Sequence, residues 1–154
     1  MTSTIVRDYR ALTVRQPWAG AIAHGSKRTE NRTWGAPPTH IGTRILIHAA
    51  AAEDRTPRPG SEVPDELTNG MRLWPVTRSA IVAVATLAGC HFDGNGCSEN
   101  CATWGQRQVF HWQLTDVTPP FRPVPAKGAP GFWTPDPNVL AAVQQQLNTA
   151  GSLA

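Results

Sequence analysis

Arg15-Gln16-Pro17-Trp18-Ala19-Gly20-Ala21-Ile22-Ala23-His24-Gly25-Ser26-Lys27-Arg28-Thr29-Glu30-Asn31-Arg32-Thr33-Trp34 is the stretch that decides the fold. Leu12 and Val14, just before it, predict a short strand over 10–15. Pro17 suits the first turn of a helix, where a missing N–H costs nothing. Trp18, Ala21 and Ile22 have helical apolar spacing, and Gly25 can take the left-handed conformation that stops a helix. From Lys27 to Trp34 the chain alternates. Lys27, Thr29, Asn31 and Thr33 fall on one face, with Arg28, Glu30, Arg32 and Trp34 on the other, which predicts a second strand. The unit is therefore strand, short helix, strand. Arg15 and Gln16 stand beside the helix start, where anions are favoured. Lys27, Arg28 and Arg32 follow its end around one carboxylate, Glu30. Trp18 and Trp34 offer flat faces for stacking on bases. The plainer alternative is that Glu30 pairs with Lys27 or Arg32 and the tryptophans are core.

Outward from this stretch, the 154 residues predict one domain with a real core. The divisions expected are a leader (1–9), a single domain (10–148) and a tail (149–154). No apolar run is long enough for a membrane helix, so a membrane protein is not expected. The start lacks a secretory pattern, which makes the cytoplasm the expected location. Net charge is +3. Its distribution says more: Arg7, Arg10, Arg15, Lys27, Arg28, Arg32 and Arg44 face only Asp8 and Glu30 in the first part of the chain. Between 53 and 66 the balance reverses. Arginine dominates the cations, and its planar fork suits phosphate and stacking. A basic half with interleaved tryptophan fits nucleic acid or a nucleotide-like ligand. A solubilising surface is the competing explanation. Nothing in the sequence sets an oligomeric state.

Gly35 to Thr39 reads as a loop, because two prolines cannot continue a ladder. Thr43 to Ala49 predicts a buried strand, with Ile45 and Ile47 on one face and Arg44, Leu46 and His48 on the other. His48 is a pocket candidate, although a lone strand histidine is more often a hydrogen-bonded structural group. Residues 51–78 read as an insertion rich in proline, glycine and acid, with a short helix over Asp65 to Leu73. Ser79 to Leu87 is the clearest buried strand, rich in β-branched residues, and Gly89 is expected to end it. A Cys- and Gly-rich loop (90–104) follows, then a strand over Val109 to Asp116 with Trp112 as core. A Pro-rich segment over Thr118–Pro130 is anchored by Phe121 and Val124. Asn138 to Leu147 predicts an amphipathic helix. Short strands and brief helices together predict an α+β, mainly β, small barrel.

Cys90, His91, Cys97 and Cys101 lie within a dozen residues and are of types that zinc favours. Their spacing is not a Cys-x-x-Cys knuckle. Free thiols, or a Cys97–Cys101 disulfide, are the alternatives. No cofactor is expected, and zinc is the minority alternative.

Gln16-Pro17-Trp18 followed by Gly25-Ser26-Lys27-Arg28-Thr29-Glu30-Asn31-Arg32 resembles the opening motif of the ASCH domain family. Gly42 to Ala50, Ile81 to Gly89, and Lys127-Gly128 with Phe132-Trp133 resemble later parts of it, the last being similar to the ASCH domain of activating signal cointegrator 1. The resemblance spans most of residues 11–134 and implies a barrel similar to the RNA-binding PUA domains. Charge, aromatics and this resemblance together predict a nucleic-acid-binding protein with a basic cleft and tryptophan stacking, its site drawn from Arg15, Gln16, Trp18, Lys27, Glu30, Arg32, Trp34, His48, Lys127 and Trp133. A hydrolase is the second reading, because some small ASCH proteins are acetylcytidine amidohydrolases and others are assigned nuclease activity. The amidohydrolases use a Lys-x-x-Thr pair. Lys27 matches that lysine, but Glu30 stands where the threonine nucleophile would be. Catalysis would then need Glu30 as base for water and Lys27 at the oxyanion.

Overall fold

The computed structural model describes residues 9–54, 65–118 and 122–152. In chain order they form β1 (Arg10–Gln16), α1 (Trp18–His24), β2 (Thr29–Arg32), β3 (Arg44–Glu53), α2 (Asp65–Gly70), β4 (Ala80–Phe92), α3 (Glu99–Trp104), β5 (Phe110–Thr118), β6 (Val124–Pro125), β7 (Phe132–Trp133) and α4 (Pro137–Ser152). The strands make one sheet in the order β2-β5-β4-β3-β1-β7, with β6 paired to β4. It curls into a half-barrel, so the expected α+β, mainly β, architecture is the one observed.

Period-two alternation explains the two faces of the sheet. On one face Leu12, Val14, Ile45, Ile47, Trp112 and Leu114 close around Ile22 of α1. On the other, Ala11, Leu46, Ile81 and Val84 meet Val143 of α4. Ile22, Leu12, Ile45, Ile47 and Trp112 are fully buried, each apolar side chain contributing about 1.5–3 kcal/mol by leaving water. β1 and β3 run parallel, with Leu12 opposite Ile47 and Thr13 opposite His48. Their C-terminal ends therefore lie side by side, which places Asp54, just after β3, against the start of α1.

Several boundaries differ from the sequence expectation. Gly25 is not left-handed: its φ is −116°. A Cβ there would lie 2.6 Å from a Glu66 carboxylate oxygen and 2.7 Å from the Trp74 ring, so close approach is what selects glycine. β3 continues through the alanine tract to Glu53. β4 runs past Gly89 to Phe92 because a register shift between Leu87 and Gly89 absorbs the irregularity. The Cys-rich loop contains the end of β4 and all of α3. The C-terminal helix runs through the expected 149 boundary to Ser152. Residues 1–8 of the leader, residues 55–64 of the insertion and Phe121 lie outside the described residues.

Candidate functional site

The β1–α1–β2 unit builds an ionic cluster at the open seam of the half-barrel. Arg28 Nη1 donates to the carbonyls of Ile22, Gly25 and Lys27 at 3.2, 3.0 and 2.9 Å. It thereby satisfies carbonyls left free at the end of α1. This tight turn directs Lys27 inward, where only 1% of its surface remains exposed. Lys27 precedes β2 rather than belonging to it, so it meets Glu30 instead of facing away as strict alternation predicts. Lys27 Nζ donates to the Thr29 carbonyl. It lies 3.6 Å from Glu30 Oε1 and 5.5 and 5.8 Å from the ring centres of Trp18 and Trp104. Burial lowers its proton affinity below the ordinary lysine value, while the Glu30 carboxylate acts in the opposite direction.

Arg32 Nη2 lies 3.3 Å from Glu30 Oε2. It also donates to the Thr13 carbonyl of β1. β2 ends the strand order and β1 lies next to its other end, so Arg32 ties the seam of the curled sheet. Its Nε is the buried side-chain polar atom without a partner among the described residues.

Two later segments cover this unit. Asn100 of α3 accepts from Arg28 N and Thr29 Oγ1, both at 2.9 Å, and Asn31 Nδ2 donates to the Trp104 carbonyl at 3.0 Å. These bonds seat Trp104 over Lys27. In α2, Glu66 accepts from Ser26 N at 2.6 Å, and Leu67 packs with Ala21, Trp104, Trp18 and Trp74. The described part of the 51–78 insertion is thus docked on the opening motif.

Between α1, β3 and the segment after α2 lies a pocket of about 370 Å³, lined among others by Gln16, Gly20, Asp54, Met71, Trp74 and Val76. The Gln16 amide is held in place, accepting from Gly20 N at 2.9 Å and donating to the Thr77 carbonyl at 2.8 Å. Asp54 accepts from Trp18 Nε1 at 2.8 Å and from Arg15 at 3.4 Å. Met71 and Val76 are 39% and 63% exposed, so the pocket has an apolar rim. Trp74, Asp54 and Trp104 were not singled out in the sequence. The parallel pairing of β1 with β3 is the signal that would have placed Asp54 beside Trp18.

The structure brings Trp18, Lys27, Glu30 and Arg32 together. Arg15 is exposed and turned to Asp54, and Gln16 lines the pocket. Trp34 packs edge-on against Trp112 at 4.8 Å and accepts its indole N–H through the Trp34 carbonyl. His48 sits on the other face of the sheet. Its Nε2 lies 2.7 Å from the Ala126 carbonyl and therefore carries the proton. Its Nδ1 is left to accept from Thr13 Oγ1 at 3.2 Å. Trp133 donates to the same hydroxyl at 2.9 Å. Burial lowers the proton affinity of His48. Lys127 is exposed, while the adjacent Gly128 approaches the His48 ring so closely that a Cβ would lie 2.7 Å from it.

A second cluster gathers His91 at the end of β4, Cys97, Cys101 of α3 and His111 of β5. His91 and His111 are cross-strand partners. Cys97 and Cys101 are joined as a disulfide. Cys90 is outside the cluster, accepting instead from Ala36 N at 3.4 Å. Sequence proximity placed Cys90 in the set, but alternation along β4 turns it to the opposite face from His91. His111 takes the place assigned to it.

The ASCH domain family model matches residues 12–121, and the chain belongs to that family. Its fold is similar to crystal structures of the ASCH protein from Zymomonas mobilis, one wild type and two of point mutants. Each shows 17% identity and a TM-score of 0.51, covering 93–94% of this chain and 95–98% of that one. At that identity the likeness is one of fold. No curated protein matches the sequence. Among the described residues no helix is long and apolar enough to cross a membrane.

Proposed function

We propose that this protein binds single-stranded nucleic acid, seating one base in the pocket beside α1. The observation that carries the reading is the pocket itself. It has an indole wall at Trp74, a fixed amide at Gln16 and a carboxylate at Asp54. Its volume, about 370 Å³, lies within the range of small-molecule sites. Trp74 supplies stacking. Gln16 can both donate and accept, and Asp54 accepts from an exocyclic amine or ring N–H. Arg15 stands exposed at the rim, where a phosphate would lie. The buried Lys27–Glu30–Arg32 cluster holds the two strands and α1 that shape the pocket.

The test is fluorescence anisotropy with labelled single-stranded RNA, single-stranded DNA and duplex DNA at two salt concentrations. Binding should weaken with salt, as released counterions require. Trp74→Ala should cost about 1–3 kcal/mol, the worth of one stacked base, or roughly 5- to 150-fold in Kd. Arg15→Ala should reduce the salt dependence. Binding that is insensitive to Trp74→Ala, or no binding to any polymer, defeats the reading.

Hydrolysis of a modified nucleoside is the second reading. One observation favours it: Lys27 is desolvated beside a carboxylate, an arrangement that marks reactive sites. Against it stands the burial of both groups. Turnover of acylated nucleosides by the wild type that vanishes in Lys27→Ala, with binding retained, would establish it.

A further inference from the structure

We propose that His91, Cys97, Cys101 and His111 are a four-coordinate site for a zinc ion that fastens α3 to the sheet. The argument rests on donor geometry. A tetrahedral zinc bound by two imidazole nitrogens and two thiolates has its nitrogens about 3.3 Å apart and each nitrogen about 3.6 Å from each sulfur. Here His91 Nε2 and His111 Nδ1 are 3.2 Å apart. His91 Nε2 lies 3.3 Å from Cys97 Sγ and 3.5 Å from Cys101 Sγ. His111 Nδ1 lies 3.6 Å from Cys97 Sγ and 2.8 Å from Cys101 Sγ, which must lengthen; the two sulfurs, bonded to each other here, must also part to about 3.8 Å.

The surroundings prepare the same set. His111 Nε2 lies 2.7 Å from the Gln106 carbonyl, so that nitrogen carries the proton and Nδ1 keeps its lone pair for the cluster. Metal-bound histidines are oriented by such outer bonds. Gly105 touches the back of the same ring, where a Cβ would lie 2.7 Å from Cε1 and 3.0 Å from Nε2. Gly94 and Gly96 take φ of +87° and +73°, and the loop they bend returns Cys97 to His91. The Ser98 hydroxyl caps α3 by accepting from Cys101 N. The ligands come from β4, the loop, α3 and β5. An ion held by all four would anchor the helix that places Trp104 over Lys27.

Binding needs the reduced pair. A thiol reductant gives the Cys97–Cys101 disulfide two electrons and two protons and leaves as its own disulfide; a phosphine gives the two electrons and leaves as the phosphine oxide, with water supplying the oxygen and the two protons. The two thiols then release those protons to solvent as the sulfurs bind the ion. No electron transfer accompanies binding itself.

The test uses the full chain, reduced with a phosphine and stripped of metal, then titrated with Co(II) followed by Zn(II). One equivalent of cobalt should bind with the visible bands of tetrahedral thiolate coordination, and zinc should displace it. Zinc at ~1,000 times its Kd should stabilise the fold by about 4.1 kcal/mol. Cys97→Ser, at an exposed position, and His91→Ala should each weaken binding beyond the roughly 10- to 100-fold cost of losing an outer partner. Cys90→Ser should leave it unchanged. The proposal is overturned if the folded, reduced protein takes up neither ion, if Cys97→Ser binds as the wild type does, or if peptide mapping finds Cys97–Cys101 still bonded under reductant.

Discussion

Replacing Glu30 by glutamine removes the carboxylate that stands between Lys27 and Arg32 and nearly keeps its shape. At an effective dielectric of about 20, the charges of Lys27 and Glu30, 3.6 Å apart, attract by ~4.6 kcal/mol. The Arg32 pair at 3.3 Å is discounted because that side chain is 21% exposed. Breaking a buried pair from one side costs about 3–5 kcal/mol, since the remaining charge stays out of water. For a chain of this size that is a fall in Tm of roughly 6–20 °C. The assay is urea unfolding followed by far-ultraviolet circular dichroism, with an unchanged slope as the check on two-state behaviour. The double variant Lys27→Met with Glu30→Gln should recover much of the loss, because the buried ammonium is then gone.

The pH dependence supplies a sign. Burial already lowers Lys27 from its ordinary value, and Glu30 offsets part of this. Without Glu30 the folded-state value drops further below the unfolded one. In the window between the two, the unfolded chain binds more protons, so stability rises with pH. The deficit of Glu30→Gln should therefore shrink as pH rises toward 10. A variant within about 0.5 kcal/mol of wild type at neutral pH would show that the pair is solvated and would refute its structural role.

His48 should impose the same sign at lower pH. Its folded value lies below the ordinary 6.5, so its contribution is full above that pH and is lost as pH falls, by up to about 1.36 kcal/mol per unit. Thermal melts from pH 8 to 5 should fall more steeply for the wild type than for His48→Gln; parallel curves would remove the buried-histidine account. Gly70→Ala should destabilise by about 1–3 kcal/mol through overpacking, because its Cβ would lie 2.3 Å from the Trp74 ring. Displacing that ring should also weaken single-stranded binding, measured by anisotropy, and a stable variant with unchanged Trp74 fluorescence would contradict it.

The half-barrel and its opening unit were legible because period and punctuation agree there. Pro17, the apolar spacing of Trp18, Ala21 and Ile22, and the β-branched run of β4 each point to the element observed. What escaped was contact between segments distant in sequence. Lys27 and Glu30 read as opposite faces of one strand, because nothing local shows that the strand starts at Thr29. Their pairing depends on Arg28 turning back to cap α1. Trp74 and Trp104 belong to segments whose proline, glycine and polar composition reads as loop. Their place over α1 comes from Glu66 and Asn100 bonding to residues 40 to 74 positions earlier.

Strand register accounts for the cysteine loop in the same way. A linear reading groups ligands by closeness in the chain and so joins Cys90 to His91. In a strand, neighbours face apart, whereas a residue directly across an antiparallel ladder faces the same way. Once His91 is aligned with His111, Cys90 is aligned with Trp112 and turned to the other face. The same register joins the two sites of the molecule: β5 carries His111 in one cluster and, through Leu114 N to the Arg28 carbonyl at 2.8 Å, holds the turn that buries Lys27. Metal at the cysteines should therefore be felt at Lys27 through α3 and Trp104. Zinc should slow hydrogen exchange across 99–104 and protect the Trp104 indole from quenching. Protection confined to the four ligands, with α3 exchanging as before, would separate the two sites.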